Sequence, residues 1–324
     1  MNRFLGGLMF ALALVCAAAT SFAQGEAKVF RVGFLALVSR SIAESWLTGF
    51  RDELRKLGYE EGRNLVLEPR FANGDRDKLM GLVAEIVAAK VHAFLTAGEP
   101  ALIAAKVYGE NTPIVTVGCD PLEKLMGSLA RPGGNATGFT CISSDLGSKR
   151  LGLLKTLLPK SERIALLYSE PDTFEPELRQ LETQGRQLGL EIARFPVRTA
   201  DDLEPTIKRM AEQKSHALYI AASSFANQHR KRLAELALTY RLPAMYGFRE
   251  FVQAGGLIAY GAPLEDGFRR AAHQLDKILK GASPAEVPVE QPTRFELVLN
   301  MRTAKALGLE VPSTLLVQAD ELIE

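Results

Sequence analysis

Neither sign of charge dominates this chain, and that absence removes whole classes of function. Its 39 Lys and Arg stand against 38 Asp and Glu in 324 residues, and once Arg3 leaves with an N-terminal leader the two totals are equal. A balanced surface has no nucleic-acid footprint and no polybasic membrane patch. Histidine is scarce and scattered: His92 and His216 open strands, while His229 and His273 fall on helices. No metal cluster or catalytic base is formed by such isolated positions, and no cofactor is expected. Of three cysteines only Cys119 and Cys141 lie outside the leader, and their spacing is no zinc pattern. There is no P-loop either. "RPGGNATG" is glycine-rich but lacks the lysine and leads into a strand, so it reads as a turn. Short repeats and low-complexity tracts are missing, and beyond the first 23 residues no apolar run reaches the ~18 residues that a membrane span requires.

What is present begins with residues 1–23. Asn2-Arg3, the apolar run "FLGGLMFALALVCAAA" and the small residues Ser21 and Ala23 form the three regions of a secretory signal peptide, cut near Ala23. The mature chain is therefore expected to be exported, without membrane insertion. Lipidation at Cys16 is disfavoured because Val15 precedes it where a small residue is wanted. An oxidising compartment permits Cys119 and Cys141 to pair if their strands are neighbours; the alternative is two buried thiols.

From Val29 onward apolar strands alternate with amphipathic helices. "VFRVGFLALV" is a buried strand, and the following segment sets Ile42, Trp46, Phe50, Leu54 and Leu57 on one helical stripe stopped by Gly58. The alternation continues to "PIVTVG", breaks at "ARPGGNATGFT", and restarts at "ERIALLYS" with helices expected at Glu175–Leu188, Asp201–Gln213 and Asn227–Tyr240. Strands with no polar face, separated by helices, form parallel sheets covered on both sides. The fold class is α/β, with two similar halves head to tail. A helix over Leu264–Lys280 follows, and "VPVEQPTRFELVLN" runs on extended.

Polar or aromatic residues recur where strands end: Ser39 and Ser41; Ala97, Gly98 and Glu99; Asp120; Ser169; Ser223, Ser224 and Phe225; Tyr246 and Phe248. Open parallel sheets bind ligands at that edge. Each residue alone could equally be a helix cap. Six such loops on one edge of two halves point to a shared cleft. Tyr246 and Phe248 would wall it, Gly255 and Gly256 would form a hinge, and Tyr260 would ride on the crossover. Two carboxylates, Glu99 and Asp120, would favour a cationic or hydroxylated group, with Ser223 and Ser224 left for a ligand carboxylate.

"LGYEEGRNLVLEPRFANGD", "SLARPGGNATG", "RLPAMYGFREFVQAGGLIAYG", "DKILKGASPAEVPVEQPTRFELVLNMRTAKALGLEVP" and "ADELIE" resemble the bacterial ABC-transporter substrate-binding proteins of the tryptophan/phenylalanine-binding (TrpX-like) group. The resemblance covers essentially the whole mature chain. It implies a type I periplasmic binding protein: two Rossmann-like lobes with parallel sheets and three hinge crossovers. The lobes would comprise residues 27–142 plus 262–286 and 143–261 plus 287–324. The protein would be a monomer that captures a small, amino-acid-like or aromatic metabolite and delivers it to a membrane permease with its ATPase. By position the family's ligand loops correspond to the strand ends named above. Glu99 departs from the small or hydroxyl residue common there. A polyol or sugar binder on the same fold and a ligand-sensing module for a receptor stay open. An enzyme would need a nucleophile elbow or metal cluster, and a transcription regulator an N-terminal helix-turn-helix; neither is present.

Overall fold

The computed structural model describes residues 28–119, 125–142, 146–169 and 175–324. The leader and Asp120 lie outside these residues. Strands β1 (Phe30–Ala36), β2 (Leu65–Phe71), β3 (Ala93–Ala97), β4 (Ile114–Gly118) and β5 (Ala136–Thr140) form one sheet in the order β2-β1-β3-β4-β5, all parallel. Every residue of β3, β4 and β5 is buried, so helices must cover both faces. They are α1 (Arg40–Lys56), α2 (Lys78–Ala88) and α3 (Glu99–Tyr108). Helix α2 lies so close to β1 that a Cβ on Gly33 would come within 2.1 Å of Ile86 Cγ2. Helix α1 buries Trp46, Leu47, Phe50 and Leu54 as its stripe dictates. Gly58, at φ 91°, stops it, and the Tyr59 N–H donates back to the Leu54 carbonyl at 2.9 Å.

The second sheet contains β6 (Arg163–Ser169), β7 (Glu191–Val197), β8 (Ala217–Ile220), β9 (Ala244–Tyr246), β10 (Ile258–Gly261), β11 (Glu296–Asn300) and β12 (Glu321–Ile323). Its order is β12-β11-β10-β9-β8-β6-β7. The stretch β7-β6-β8-β9-β10 repeats the arrangement of the first sheet, and the α/β class with two lobes of parallel sheet stands. One pairing is different: β11 runs antiparallel to β10. The chain re-enters this sheet from the other lobe, hence from the end where its neighbours finish, and must run against them. Helices α4 (Gly147–Leu157), α5 (Glu175–Gln187), α6 (Leu203–Glu212), α7 (Ser224–Gln228), α8 (Arg230–Thr239) and α9 (Arg249–Gln253) connect the strands. The single helix expected over Asn227–Tyr240 is thus split in two. Ser223 Oγ accepts the Ala226 N–H at 3.0 Å and starts α7 early, and the chain breaks at His229 before α8.

After β10 the chain returns to the first lobe as α10 (Leu264–Leu279), which packs on α1, β4 and β5 through Phe268, Ala271, Ala272 and Leu275. Contact is tight: a Cβ on Gly267 would sit 2.8 Å from the Phe139 ring. Buried Gln274 donates to the Gly138 carbonyl at 2.8 Å, fixing α10 along β5. The segment that follows stays on β5. The Val289 N–H reaches Leu129 O at 2.8 Å, the Glu290 N–H reaches Gly138 O at 2.8 Å, and Glu290 O accepts the Thr140 N–H at 2.9 Å. The backbone up to Glu290 therefore completes the edge of β5. Helices α11 (Met301–Ala306) and α12 (Ser313–Gln318) close the second lobe.

Cys119 follows β4 and Cys141 follows β5, so strand pairing brings their Cα atoms to 4.8 Å, and their sulfurs are bonded. A bridge spanning 22 residues stabilises by about 3 kcal/mol through the entropy it removes from the unfolded chain. Replacing both cysteines by serine should lower unfolding free energy by about that amount. Thiol titration of the denatured, unreduced mature protein should find no free thiol; two reactive thiols would refute the bridge.

Candidate ligand-binding site

The carboxyl ends of both sheets face a common, partly open cavity of about 60 Å³. The first lobe lines it with Val38 beyond β1, Trp46 on α1, Ala97–Pro100 at the β3–α3 junction and Val117–Cys119 at the end of β4. The second lobe contributes Ala222, Ser223, Ser224, Asn227 and Phe248. Leu264 and Phe268 of α10 complete the wall. The Trp46 and Phe268 rings are stacked, with centroids 5.3 Å apart and planes within 7°. Most of this lining is apolar, and flat aromatic surface beside a few fixed polar groups suits a small amphipathic molecule.

The lobes touch across the cleft. The Ser39 N–H of the first lobe donates to Gln228 Oε1 of the second at 2.8 Å. Gly98, at φ 84°, lies so close to Ser224 that an added Cβ would be 2.1 Å from its hydroxyl. Gly74 approaches Gln228 in the same way, at 3.3 Å for an added Cβ. This is a closed cleft, and glycine at position 98 permits both the left-handed backbone and the close approach.

Of the residues read from the sequence, Ala97, Gly98, Glu99, Ser223, Ser224 and Phe248 come together in the cavity lining. Ser39 and Ser41 are not in that lining; their hydroxyls lie 3.1 Å apart. Ser169 and Phe225 line a second, more polar interlobe space together with Arg76, Arg198 and His229. Phe225 packs on the His229 ring at 4.7 Å, and burial pulls His229 below the ordinary imidazole value. Tyr246 is not in the lining: it is 1% exposed and stacks on Phe251 at 4.9 Å, and burial pushes its hydroxyl above the usual phenol range. Gly255, at φ 104°, ends α9, and Gly256 leaves room for the Tyr246 ring, whose Cε2 would lie 2.6 Å from a Cβ there. Both are placed inside the second lobe. Tyr260 is in β10, beside Phe295 at 6.1 Å, and its carbonyl accepts from Arg150 Nε at 2.7 Å.

Glu99 lies within electrostatic reach of Arg76, whose guanidinium burial pulls down and Glu99 pulls back up. Trp46, Asn227, Leu264 and Phe268 were missed as site residues. Trp46 and Phe268 read as core stripe residues, and they are both core and wall. Among the described residues no group of three or more His, Cys, Asp or Glu could hold a metal ion, and no helix is long and apolar enough to cross a membrane.

Residues 31–323 match the family of ABC transporter substrate binding proteins. The chain belongs to that family. A tyrosine-binding protein of Clostridioides difficile strain R20291 is 25% identical over 283 residues, covering 86% of this substrate-binding protein and 81% of the relative. Among solved structures, an ABC domain in complex with L-Trp from Streptococcus pneumonia superposes with a TM-score of 0.84 at 22% identity, covering 91% of this chain and all of that one. A ligand-free, open substrate-binding protein with adhesive properties from Clostridium difficile covers the same 91% at 23% identity, and 99% of its own chain, but with a TM-score of 0.66. The fold is therefore that of type I periplasmic binding proteins.

Two outcomes follow from this geometry. Trp46 is the sole tryptophan of the chain and forms part of the wall, so its emission should change in intensity or wavelength on titration with a bound ligand. Replacing Gly98 by Val should leave the lobes folded by circular dichroism, yet weaken ligand binding at least ~10-fold, because closure would bring a side chain against Ser224.

Proposed function

We propose that this substrate-binding protein captures an amino acid or a close analogue with an apolar or aromatic side chain, closing its two lobes around it. The observation that carries the reading is the stacked Trp46–Phe268 surface in a mostly apolar interlobe cavity with polar groups concentrated on few residues. A ring or alkyl side chain gains burial against that wall, roughly 25 cal/mol per Å² of apolar area removed from water. A polyol would leave the same wall unused. The names of the relatives, one tyrosine-binding and one in complex with L-Trp, agree in ligand class. Family membership supports the rest of the role: export by the leader at 1–23, residence in the periplasm as a monomer without catalysis, and delivery of the closed, loaded form to an ABC permease with its ATPase.

Binding to the folded state alone raises the melting temperature, by an amount set by ligand concentration over Kd. Thermal-shift screening of the mature protein should show stabilisation by one or more aromatic or large apolar amino acids and none by sugars. Small-angle scattering with that amino acid should show a smaller radius of gyration than without it, as an open population is drawn to the closed one. Stabilisation by sugars alone, or an unchanged radius at saturation, would contradict the reading.

A further inference from the structure

Two opposite charges stand beside the cavity without meeting. Arg230 opens α8, just past the cavity-lining Asn227, and Glu250 lies in α9, just past the cavity-lining Phe248. Each is within electrostatic reach of the other. Arg230 Nη1 and Glu250 Oε2 are nevertheless both shut off from solvent and have no hydrogen-bond partner among the described residues, and the two side chains form no ion pair. Arg249, next along the chain, is paired with Glu296 at 3.0 Å and with Glu321, and forms no ion pair with Glu250. Two more orphaned atoms belong to cavity-lining residues: Asn227 Oδ1 and the indole Nε1 of Trp46. The indole is close enough to Glu250 to ease its charge without completing a hydrogen bond.

Buried charges that serve only the fold pair directly, because an uncompensated one is costly. Arg230 is half-buried and neither side chain is part of the cavity lining, but each keeps one solvent-shielded atom without a partner two or three residues beyond that lining, an arrangement that suits a group carrying both complementary charges. We propose that Arg230 and Glu250 are the receptors for the carboxylate and the ammonium of a zwitterionic α-amino acid whose side chain lies along the Trp46–Phe268 wall. Asn227 Oδ1 supplies a second acceptor for the ammonium. The assignment rests on the amino-acid reading above and makes it specific: Glu99, already facing Arg76, is not the group that reads the ligand's cation. Free α-amino acids are then bound, and molecules that keep the ring but lack either charge are not.

The test uses the mature full chain with L-tyrosine and L-tryptophan as probes, beside tyramine and tryptamine, which lack the carboxylate, and the corresponding arylpropionates, which lack the ammonium. Calorimetry on the wild type should show each truncated analogue weakened by roughly 30-fold or more relative to its parent. Glu250→Gln should weaken the amino acid while removing its preference over the arylpropionate, and Arg230→Gln should do the same for the amine. The analogue series on the wild type needs no variant to fold. Melting of each variant without ligand separates lost binding from lost stability. If an amino acid binds but both variants keep wild-type affinity and preference, this pair is overturned while the amino-acid function stands. If no amino acid binds the wild type, both readings fall together.

Discussion

Everything in this molecule turns on the packing of α10 against a sheet to which it does not belong by sequence. The helix begins after the tenth strand, yet Phe268, Ala271, Ala272 and Leu275 are buried against α1, β4 and β5. Burying a phenylalanine side chain contributes about 2–3 kcal/mol. Phe268 also stacks on Trp46, so one ring stabilises the first lobe and forms part of the ligand wall. Gly267 and Gln274 set the depth and the position of the helix along β5. Because the chain must leave β10 to place α10 and come back to form β11, the lobes are tied by the same segment that shapes the cavity between them. The cavity is therefore a consequence of chain routing as much as of side-chain choice.

Most of the architecture could be read from patterning, since continuous apolar strands and single-stripe helices admit few arrangements. β1, α1 and α10 form where periodicity places them, and the stripe residues Trp46, Phe50, Leu54, Phe268 and Leu275 are buried as expected. The antiparallel β11 was read only as extended, because direction depends on which end of the sheet the chain re-enters, a tertiary property. The helix was expected to start at Asn227, whereas Ser223, which the sequence left open as ligand group or cap, caps α7 earlier by accepting the Ala226 N–H on its Oγ.

The site was legible by position more than by chemistry. The strand-end loops named Ala97 through Glu99, Ser223, Ser224 and Phe248, and these residues line the interlobe cavity. Tyr246 was taken for a wall because it ends a strand, yet alternation along β9 turns its ring into the core against Phe251. Arg230 and Glu250 carry no motif and sit on helices, not at strand ends. Only the one shielded atom left without a partner on each singles them out, and no one-dimensional pattern contains that.

The backbone of Val289 and Glu290 along β5 has a consequence for how the chain reaches its native state. An uncovered edge strand presents unpaired N–H and C=O groups to any passing chain, and here Glu290 occupies those of Gly138 and Thr140. The N-terminal lobe therefore cannot protect its own edge, nor cover the apolar face under α10, until residues up to Glu290 are available. Nine-tenths of the polypeptide must emerge before the first lobe can finish folding, so the sequence order of the lobes is not the order of their completion.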